Sequence, residues 1–364
     1  LGELMSIKLS HSSLNRYLTC PKSYELHYVN RLRPRKQSAA LLFGTAIDKA
    51  SEEYAKSRDL IKATETFNNT WRYQEVNGVN TNLQTCTDIV YSNSDIDTDL
   101  IQSFHWESFT FDRDDFALAY SKKDTDGFDN LNNADKLIIN TVAWTSMFVK
   151  GNLMIAKFAL IFDEYVEEVL GTQVAIALEN QDGDAVRGFA DFVFKWKGYD
   201  KPIVFDLKTS GIRYEEDSVI KSPQLSLYVH SLRQQFSDTN TAGYLVLHKR
   251  VAKNKTKKCK SCGFDGSGKN FKTCNNDIDG KRCGGEWHEV ITPEITSQII
   301  INEIPSLLEE RVLENFSEVN HGIKAKVFPR NFSSCIRFNG SVICEFYDLC
   351  HSNNMRGLCE KIEN

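Results

Sequence analysis

Two apolar segments of the chain each place a carboxylate where a strand is expected. Residues 186–196 and 203–208 alternate in the manner of strands, and the short stretch between them predicts an antiparallel hairpin. Because neighbouring side chains of a strand point to opposite faces, Asp206 and Lys208 share one face, and Asp191 converges on them from the first strand. Two carboxylates and an ammonium at one end of a sheet are therefore the first candidates for chemistry.

Such a trio suits hydrolysis of a phosphodiester. Carboxylate oxygens bind Mg²⁺ or Mn²⁺, the ion activates a water, and the ammonium orients that water or neutralises developing charge. Gln224 and Tyr228 lie four residues apart on the next predicted helix, and from a shared face they can contact a phosphate or the lysine. The alternative is a surface hairpin with a salt bridge between Asp206 and Lys208, followed by an ordinary, partly buried helix.

The elements that must position these residues predict an α/β fold. The hydrophobic period changes from helical to strand-like after Gly171 and returns to helical from Thr292. A small sheet flanked by helices is the expected core. Strands are predicted over 174–178, 186–196, 203–208 and 243–248, and helices over 41–54, 153–170, 223–234 and 295–313. A further helix, capped by Ser10 or Ser12, is expected to run through Leu14, Tyr17 and Leu18.

The bulk composition narrows the class of protein. The 364 residues are 41% hydrophobic and 26% charged, as in globular proteins, and no apolar run of about 18 residues predicts a membrane span. The net charge of −5 argues against a protein that coats nucleic acid nonspecifically. Ten cysteines without a secretory signal predict metal sites in a reducing, cytoplasmic compartment, which a viral protein in a host cell would share.

In chain order, five segments resemble the core motifs of the PD-(D/E)XK nucleases. The resemblance is closest to the RecB/AddB branch, which includes CRISPR-associated and viral single-strand exonucleases, and it covers residues 10–54 and 179–230. The motif segments are Ser-His-Ser-Ser-Leu-Asn-Arg-Tyr-Leu-Thr-Cys-Pro (10–21), Phe-Gly-Thr-Ala-Ile-Asp (43–48), Gly-Phe-Ala-Asp (188–191), Asp-Leu-Lys (206–208) and Gln-Leu-Ser-Leu-Tyr (224–228).

The resemblance implies a restriction-endonuclease-like core that acts as a metal-dependent DNA nuclease. The expected activity is that of an exonuclease on single-stranded DNA or DNA ends in replication, recombination or repair, with a helicase or another recombination or replication protein as a further partner. The implied Mg²⁺ or Mn²⁺ ligands are Asp48, Asp191, Asp206 and the backbone carbonyl of Leu207. Asp48 stands where the branch usually has a histidine. A catalytically silent DNA-binding or recombination-assembly protein on the same scaffold is therefore the alternative hypothesis.

Cysteines near the two termini form one candidate cluster site. Several members of the branch hold a [4Fe–4S] cluster between one N-terminal and three C-terminal cysteines, and cluster ligation needs four thiolates. The resemblance implies Cys20, Cys335, Cys344 and Cys350 as ligands, with Cys359 as the alternative to Cys335. A zinc site, or small buried thiols without a metal, are the other interpretations.

A second group of cysteines predicts a zinc ribbon in a polar segment with little apolar content. Cys259 and Cys262 form a metal knuckle, and Cys274 and Cys283 complete a tetrahedral site of four thiolates. A disordered loop with free thiols is the alternative interpretation. The neighbouring lysines favour contact with DNA, although a protein-docking role fits nearly as well.

These predictions divide the chain into four regions. Residues 5–150 form a mainly helical N-terminal region, and residues 151–249 form the nuclease core. The zinc ribbon is an insertion over residues 250–290. Residues 291–364 form a C-terminal helix and a cysteine segment, which would act as an iron–sulfur clasp.

Overall fold

A computed structural model describes the chain in eleven stretches. The described residues are 8–34, 36–71, 109–112, 118–120, 133–179, 185–233, 235–236, 239–266, 271–337, 342–355 and 358–360.

The described part of the chain up to residue 165 consists mostly of helices. Its elements are β1 (Lys8–Leu9), α1 (His11–Thr19), α2 (Pro21–Tyr24), a π-helical turn (Glu25–Val29), β2 (Leu32–Pro34), β3 (Lys36–Ser38), α3 (Ala39–Ser57), α4 (Leu60–Thr70), β4 (Phe109–Asp112), β5 (Leu118–Tyr120) and α5 (Asn133–Tyr165).

The part of the chain from residue 166 onward supplies most of the central sheet. Its elements are β6 (Val166–Glu179), β7 (Ala185–Trp196), β8 (Ile203–Ser210), α6 (Pro223–Leu232), β9 (Thr241–Cys259), β10 (Asp277–Ile278), β11 (Lys281–Arg282), β12 (Trp287–Glu303), α7 (Ser306–Lys324), a 3₁₀ turn (Phe332–Ser334), β13 (Ile336–Arg337), β14 (Val342–Ile343), α8 (Tyr347–Ser352) and β15 (Leu358–Glu360).

Helix α1 begins and ends where its sequence provides capping residues. The Ser10 hydroxyl accepts a hydrogen bond from the backbone N–H of Ser13 (3.1 Å), and the Ser10 N–H donates to the Ser13 hydroxyl (2.7 Å). At the other end Cys20 has an extended backbone, and Pro21 starts α2 at its first turn. The cap therefore fixes His11 at one end of α1 and Cys20 at the other.

A six-stranded mixed sheet lies at the centre of the fold. Strand β7 pairs antiparallel with β6 and β8, β8 pairs parallel with β9, and β9 pairs antiparallel with β12. The short β1 runs parallel to the start of β7. The predicted antiparallel hairpin of β7 and β8 is confirmed.

Apolar side chains fill both faces of this sheet. Phe192, Phe194 and Phe205 pack on one face against α3, α4 and α5. Val193 and Val204, which alternate with them, pack on the other face against α1, α6 and α7. A mixed sheet covered by helices on both faces fits the expected restriction-endonuclease-like fold. No helix in the described stretches is both long and apolar enough to cross a membrane.

Three of the predicted helix boundaries are wrong. The helix expected over 153–170 begins already at Asn133 and ends at Tyr165, and β6 begins at Val166, which is buried and pairs with Trp196. The helix expected over 295–313 begins only at Ser306, because residues 295–303 belong to β12. Both corrected stretches contain β-branched residues opposite an established strand, and that tertiary pairing outweighs the weak helical pattern.

Strands β9 and β12 extend far beyond the sheet core as a two-stranded ribbon. The ladder continues from the pair Tyr244 and Ile300 to the pair Cys259 and Trp287, with one register shift between Ile295 and Ser297. Lysines dominate the outer part of β9, which pairs there with β12 alone. Residues 250–258 show no periodic pattern of hydrophobic residues, because the ribbon that they form is exposed to solvent.

Candidate active site and two cysteine clusters

Asp191 and Asp206 lie next to each other on adjacent strands. Asp206, on β8, is only 2% exposed, whereas Asp191, on β7, is half-buried. The Asp191 carboxylate accepts a hydrogen bond from the backbone N–H of Leu207 (2.8 Å) and a longer one from the Gln173 side chain (3.5 Å). These bonds hold the first carboxylate against the backbone that carries the second.

Lys208 and α6 complete the surroundings of Asp206. The Lys208 ammonium forms an ion pair with Asp206 Oδ2, and the Gln224 amide donates to Asp206 Oδ1 (3.1 Å). The same amide nitrogen lies 2.7 Å from the Tyr228 hydroxyl. Ser222 caps α6 and Pro223 occupies its first turn, so the start of this helix is held beside the carboxylate. The structure thus brings all five predicted catalytic side chains together.

Helix α3 brings Asp48 close to Asp191 and Asp206. A Cβ built on Gly44 would lie 3.7 Å from the Thr209 hydroxyl, so α3 passes close to β8 one turn before Asp48. Burial, then the charges of Asp191 and Asp206, raise the pKa of Asp48 to about 8, while Lys208 opposes this shift. Asp48 is half-buried at this position.

The carboxylates of Asp191 and Asp206 lie beside a single positive charge, that of Lys208, and are largely shielded from solvent. Burial and the charge of Asp206 raise the pKa of Asp191 to about 7, and burial also raises the pKa of Asp206. Burial alone would lower the pKa of Lys208, but the charge and hydrogen bond of Asp206, with the charge of Asp191, outweigh it and raise that pKa. Lys208 therefore stays protonated, and the site has more acidic groups than a single ammonium neutralises.

Two residues of the site escaped the sequence interpretation. Burial, together with the charge of Lys208, lowers the pKa of His11 to about 4, so its ring is neutral at physiological pH. His11 lines an open groove with Gln224 and Tyr244, and the Tyr244 ring centre lies 6.0 Å from the Lys208 ammonium. His11 stands inside the quoted motif over 10–21, which could have revealed it. Tyr244 is identified only by its pairing with Asp206 across β8 and β9.

The terminal cysteines named by the resemblance line one cavity. Cys20, Cys335, Cys344 and Cys350 surround it together with aromatic and basic side chains. Their thiols lie close enough for the charge of one to affect another: burial first, then the charges of Cys20 and Cys350, raise the pKa of Cys335. Cys359, the alternative ligand, lies in β15, and its side chain falls outside the described part.

Polar contacts join the two ends of the chain around this cavity. Arg16 forms an ion pair with Glu345, and the Asn331 amide donates to the Thr19 carbonyl (2.8 Å). The Lys22 N–H also donates to the backbone carbonyl of Pro329 (3.2 Å). These bonds assemble the cavity from two distant parts of the sequence.

The cysteines of the ribbon tip form a more compact set. Ligand atoms of Cys259, Cys262, Cys274 and Cys283 all lie within 4.8 Å of one another, and no other set of three or more candidate metal ligands in the described stretches is as compact. The sulfurs of Cys259 and Cys283, and those of Cys262 and Cys274, are 3.6 Å apart. Burial opposes ionisation of Cys259, yet N–H groups of the knuckle, with neighbouring thiols, lower its pKa to about 6.

Comparisons with known proteins support the nuclease resemblance over part of the chain. The family model of the PD-(D/E)XK nuclease superfamily matches residues 8–86. No curated protein matches the chain. The matched stretch contains His11, Cys20 and Asp48 and ends before the strands that carry Asp191 and Asp206. The match confirms the resemblance at the level of the superfamily and indicates a nuclease.

Proposed function

We propose that the protein is a metal-dependent DNA nuclease with its active centre between β7, β8, α3 and α6. The observation that carries this proposal is the buried Asp206 carboxylate, which is held by Lys208 and Gln224 beside Asp191. A surface salt bridge, the alternative considered from the sequence, would leave Asp206 exposed. Burying a carboxylate next to a second one costs folding free energy. Such arrangements are therefore found mainly at functional sites.

The donor set suits Mg²⁺ or Mn²⁺. Asp48, Asp191 and Asp206 offer hard oxygen ligands, and the raised pKa values of about 8 and about 7 for Asp48 and Asp191 mark a site short of positive charge. The backbone carbonyl of Leu207 is the further ligand that we assign. When bound, the ion supplies an activated water and neutralises charge on the scissile phosphate.

The side chains of this chain have separate tasks in the proposed reaction. Lys208 keeps its proton, and it therefore stabilises negative charge on the phosphate or orients the attacking water rather than acting as a base. Burial raises the pKa of Tyr228 to about 12, so its hydroxyl keeps a proton that it can donate to a phosphate oxygen. Gln224 fixes the position of that hydroxyl relative to Asp206.

The finer assignment is an exonuclease that acts on single-stranded DNA or DNA ends in recombination, replication or repair. This part of the proposal rests on the motif resemblance, whereas the match to residues 8–86 supports a nuclease in general. A helicase or another recombination or replication protein is the proposed partner, in a reducing, cytoplasmic compartment. The competing hypothesis is a catalytically silent scaffold, and the conjunction of Asp191, Asp206, Lys208 and Gln224 argues against it.

We assign a [4Fe–4S] cluster to Cys20, Cys335, Cys344 and Cys350. They line one cavity, yet their sulfurs are not gathered as tightly as the ribbon set. A wider arrangement of four thiols suits a cluster better than a single ion.

We assign zinc to the ribbon. A Zn–S bond of about 2.3 Å gives sulfurs about 3.8 Å apart in a tetrahedron, close to the observed 3.6 Å. Bound zinc would stabilise the tip of β9 and β12, where apolar contacts are few.

The proposed activity is tested by incubating the protein with end-labelled single-stranded and double-stranded DNA. Each substrate is combined with Mg²⁺, Mn²⁺ or no added divalent ion, and product lengths are measured over time. Metal-dependent cleavage that is lost in Asp206→Asn supports a nuclease, and progressive shortening from one end supports an exonuclease. A wild-type protein that binds DNA but leaves every substrate intact would support the silent scaffold instead.

A further inference from the structure

Positive charge is concentrated at the ribbon tip. Lys and Arg outnumber Asp and Glu ten to five in residues 250–290, although the whole chain carries a net charge of −5. Two of these acids are already paired with lysines, Glu286 with Lys260 (2.9 Å) and Glu289 with Lys255 (3.0 Å). The tip therefore has an excess of positive charge on an otherwise acidic protein.

Aromatic side chains lie among these cations on the tip. The indole N–H of Trp287 and the Lys257 ammonium both donate to the Phe271 carbonyl, at 2.9 and 3.3 Å. The Lys257 ammonium also lies 5.0 Å from the Trp287 ring centre, and the Arg282 guanidinium lies 6.0 Å from that of Phe271. Phe271 is itself 44% exposed. We call these four residues, Lys257, Phe271, Arg282 and Trp287, the basic platform.

We propose that the basic platform binds single-stranded nucleic acid, with bases stacked on Phe271 and phosphates bound by the surrounding cations. Exposed aromatic rings flanked by Lys and Arg are the usual means of binding single strands without sequence preference. The charge excess favours this polyanion over a protein partner. The inference deepens the proposed function and rests on it in one respect, because the bound strand would be the one that is cut.

The length of the ribbon separates the platform from the active centre. Tyr244 pairs with Asp206 in the sheet, and Cys259 at the tip follows it along β9 after 15 further residues. At about 3.3 Å per residue, the path measures up to about 50 Å, and the register shift near Ile295 can only shorten the direct distance. A stacked strand rises about 3.4 Å per nucleotide, so about 15 nucleotides cover that path.

Substrate length should therefore decide whether the platform contributes to binding. A strand of thirty nucleotides spans both places even when it is stacked, whereas one of five covers only about 34 Å at twice the stacked rise. A long strand can engage the platform and the active centre at once, whereas a short strand engages only one of the two.

The experiment measures binding of fluorescein-labelled oligothymidylates of five and thirty nucleotides by anisotropy, over a range of KCl concentrations. The full chain carries Asp206→Asn to prevent cleavage, and no chelator is added, so that zinc is retained. The test variant adds Phe271→Ala and Arg282→Glu, both exposed at the tip. The matched control adds Arg311→Glu, an exposed arginine of α7 that pairs with Glu314 on its own helix.

The test variant should bind the 30-mer about tenfold more weakly, since removing one base stack changes affinity by a factor of that order. The log–log salt slope should also become shallower by about 0.7, because Arg282 no longer neutralises a phosphate. Binding of the 5-mer, which engages only one place, should weaken by less, and the control should match the parent protein for both strands. Zinc content by elemental analysis checks that the tip is intact. If the test variant loses zinc, the single change Arg282→Gln decides through the salt slope.

Unchanged 30-mer binding by a zinc-loaded test variant would overturn the inference and leave the platform as a surface for a protein. An equal loss for the 5-mer and the 30-mer would overturn the part of the inference that joins the platform to the active centre, because the effect would not depend on the span. Failure of the nuclease proposal looks different. A wild-type chain that cuts no DNA, combined with a length-dependent loss of binding in the test variant, would refute the activity and support the platform.

Discussion

Asp48 gives the active centre a pH dependence that can be measured without cleavage. Its pKa of about 8 means that about nine in ten molecules hold a proton on this carboxyl at pH 7. A ligand carboxylate must lose that proton before it binds a metal ion. The contribution of Asp48 to metal affinity should therefore rise about tenfold from pH 6 to pH 7, and level off above pH 8.

The perturbation is Asp48→Asn, which keeps the shape of the side chain and removes the titration. The variant should bind Mg²⁺ and Mn²⁺ more weakly at pH 8 and above. Its affinity should also rise about tenfold less between pH 6 and pH 7 than that of the wild type. Asp48→His should restore a ligand and shift preference towards Mn²⁺, which accepts imidazole more readily than Mg²⁺ does.

Isothermal titration calorimetry in buffers of different ionisation enthalpy measures both affinity and proton release. At pH 7 the wild type should release about one more proton per bound ion than Asp48→Asn. Glu52→Gln is the matched control, because Glu52 lies one turn further along α3 and pairs with Lys56. If Asp48→Asn and the wild type release the same number of protons with the same affinity, Asp48 lies outside the metal shell.

Three further predictions concern the effect of Asp48 on stability, the catalytic role of Asp206 and Lys208, and the metals bound by the cysteines. Folding raises the pKa of Asp48 from its ordinary value near 4 to about 8, so the unfolded chain loses this proton first and stability falls as the pH rises between those values; Asp48→Asn should raise the Tm of metal-free protein strongly at pH 8, less at pH 5 and little near pH 4. Asp206→Asn and Lys208→Met should each lower the cleavage rate about 10²- to 10³-fold without loss of the folded circular dichroism spectrum, and near-normal rates would place the chemistry elsewhere. Cys335→Ser should lose iron, about four atoms per chain, and should have a lower Tm while it keeps zinc. Cys262→Ser should lose zinc and keep iron. Elemental analysis of protein purified without oxygen distinguishes these results from a chain that carries neither metal.

The sequence predicted the elements whose signals are local. Alternation located β7 and β8, and the short stretch between them fixed their antiparallel pairing and the approach of Asp191 to Asp206. Ser10, one of the two candidate capping serines, caps α1. Prediction from the sequence failed where pairing with a distant strand decides the conformation. Residues 295–303 are an example, because their isoleucines suit a helix or a strand until β9 lies beside them.

The site shows the same division between local and distant signals. Motif spacing identified Asp48, Gln224 and Tyr228, because each lies within a recognisable segment. Tyr244 has no motif of its own and reaches Lys208 only through the parallel pairing of β8 with β9. The surroundings of Asp48, which raise its pKa, likewise depend on the passage of α3 over β8.

Helix α1 links the terminal cysteines to the active centre. His11 at its start lines the groove beside Gln224, and Cys20 at its end lines the cysteine cavity, nine residues away. Nine residues of α-helix rise about 13.5 Å, so a displacement at one end is transmitted to the other unless the helix bends. The Tyr17 hydroxyl, which donates to the backbone carbonyl of Val327 (2.7 Å), resists such bending from the second half of the helix. A clasp at the termini would thus hold His11 in place next to Lys208, and loss of the cluster should reach the active centre through α1 without any change to the Mg²⁺ or Mn²⁺ ligands.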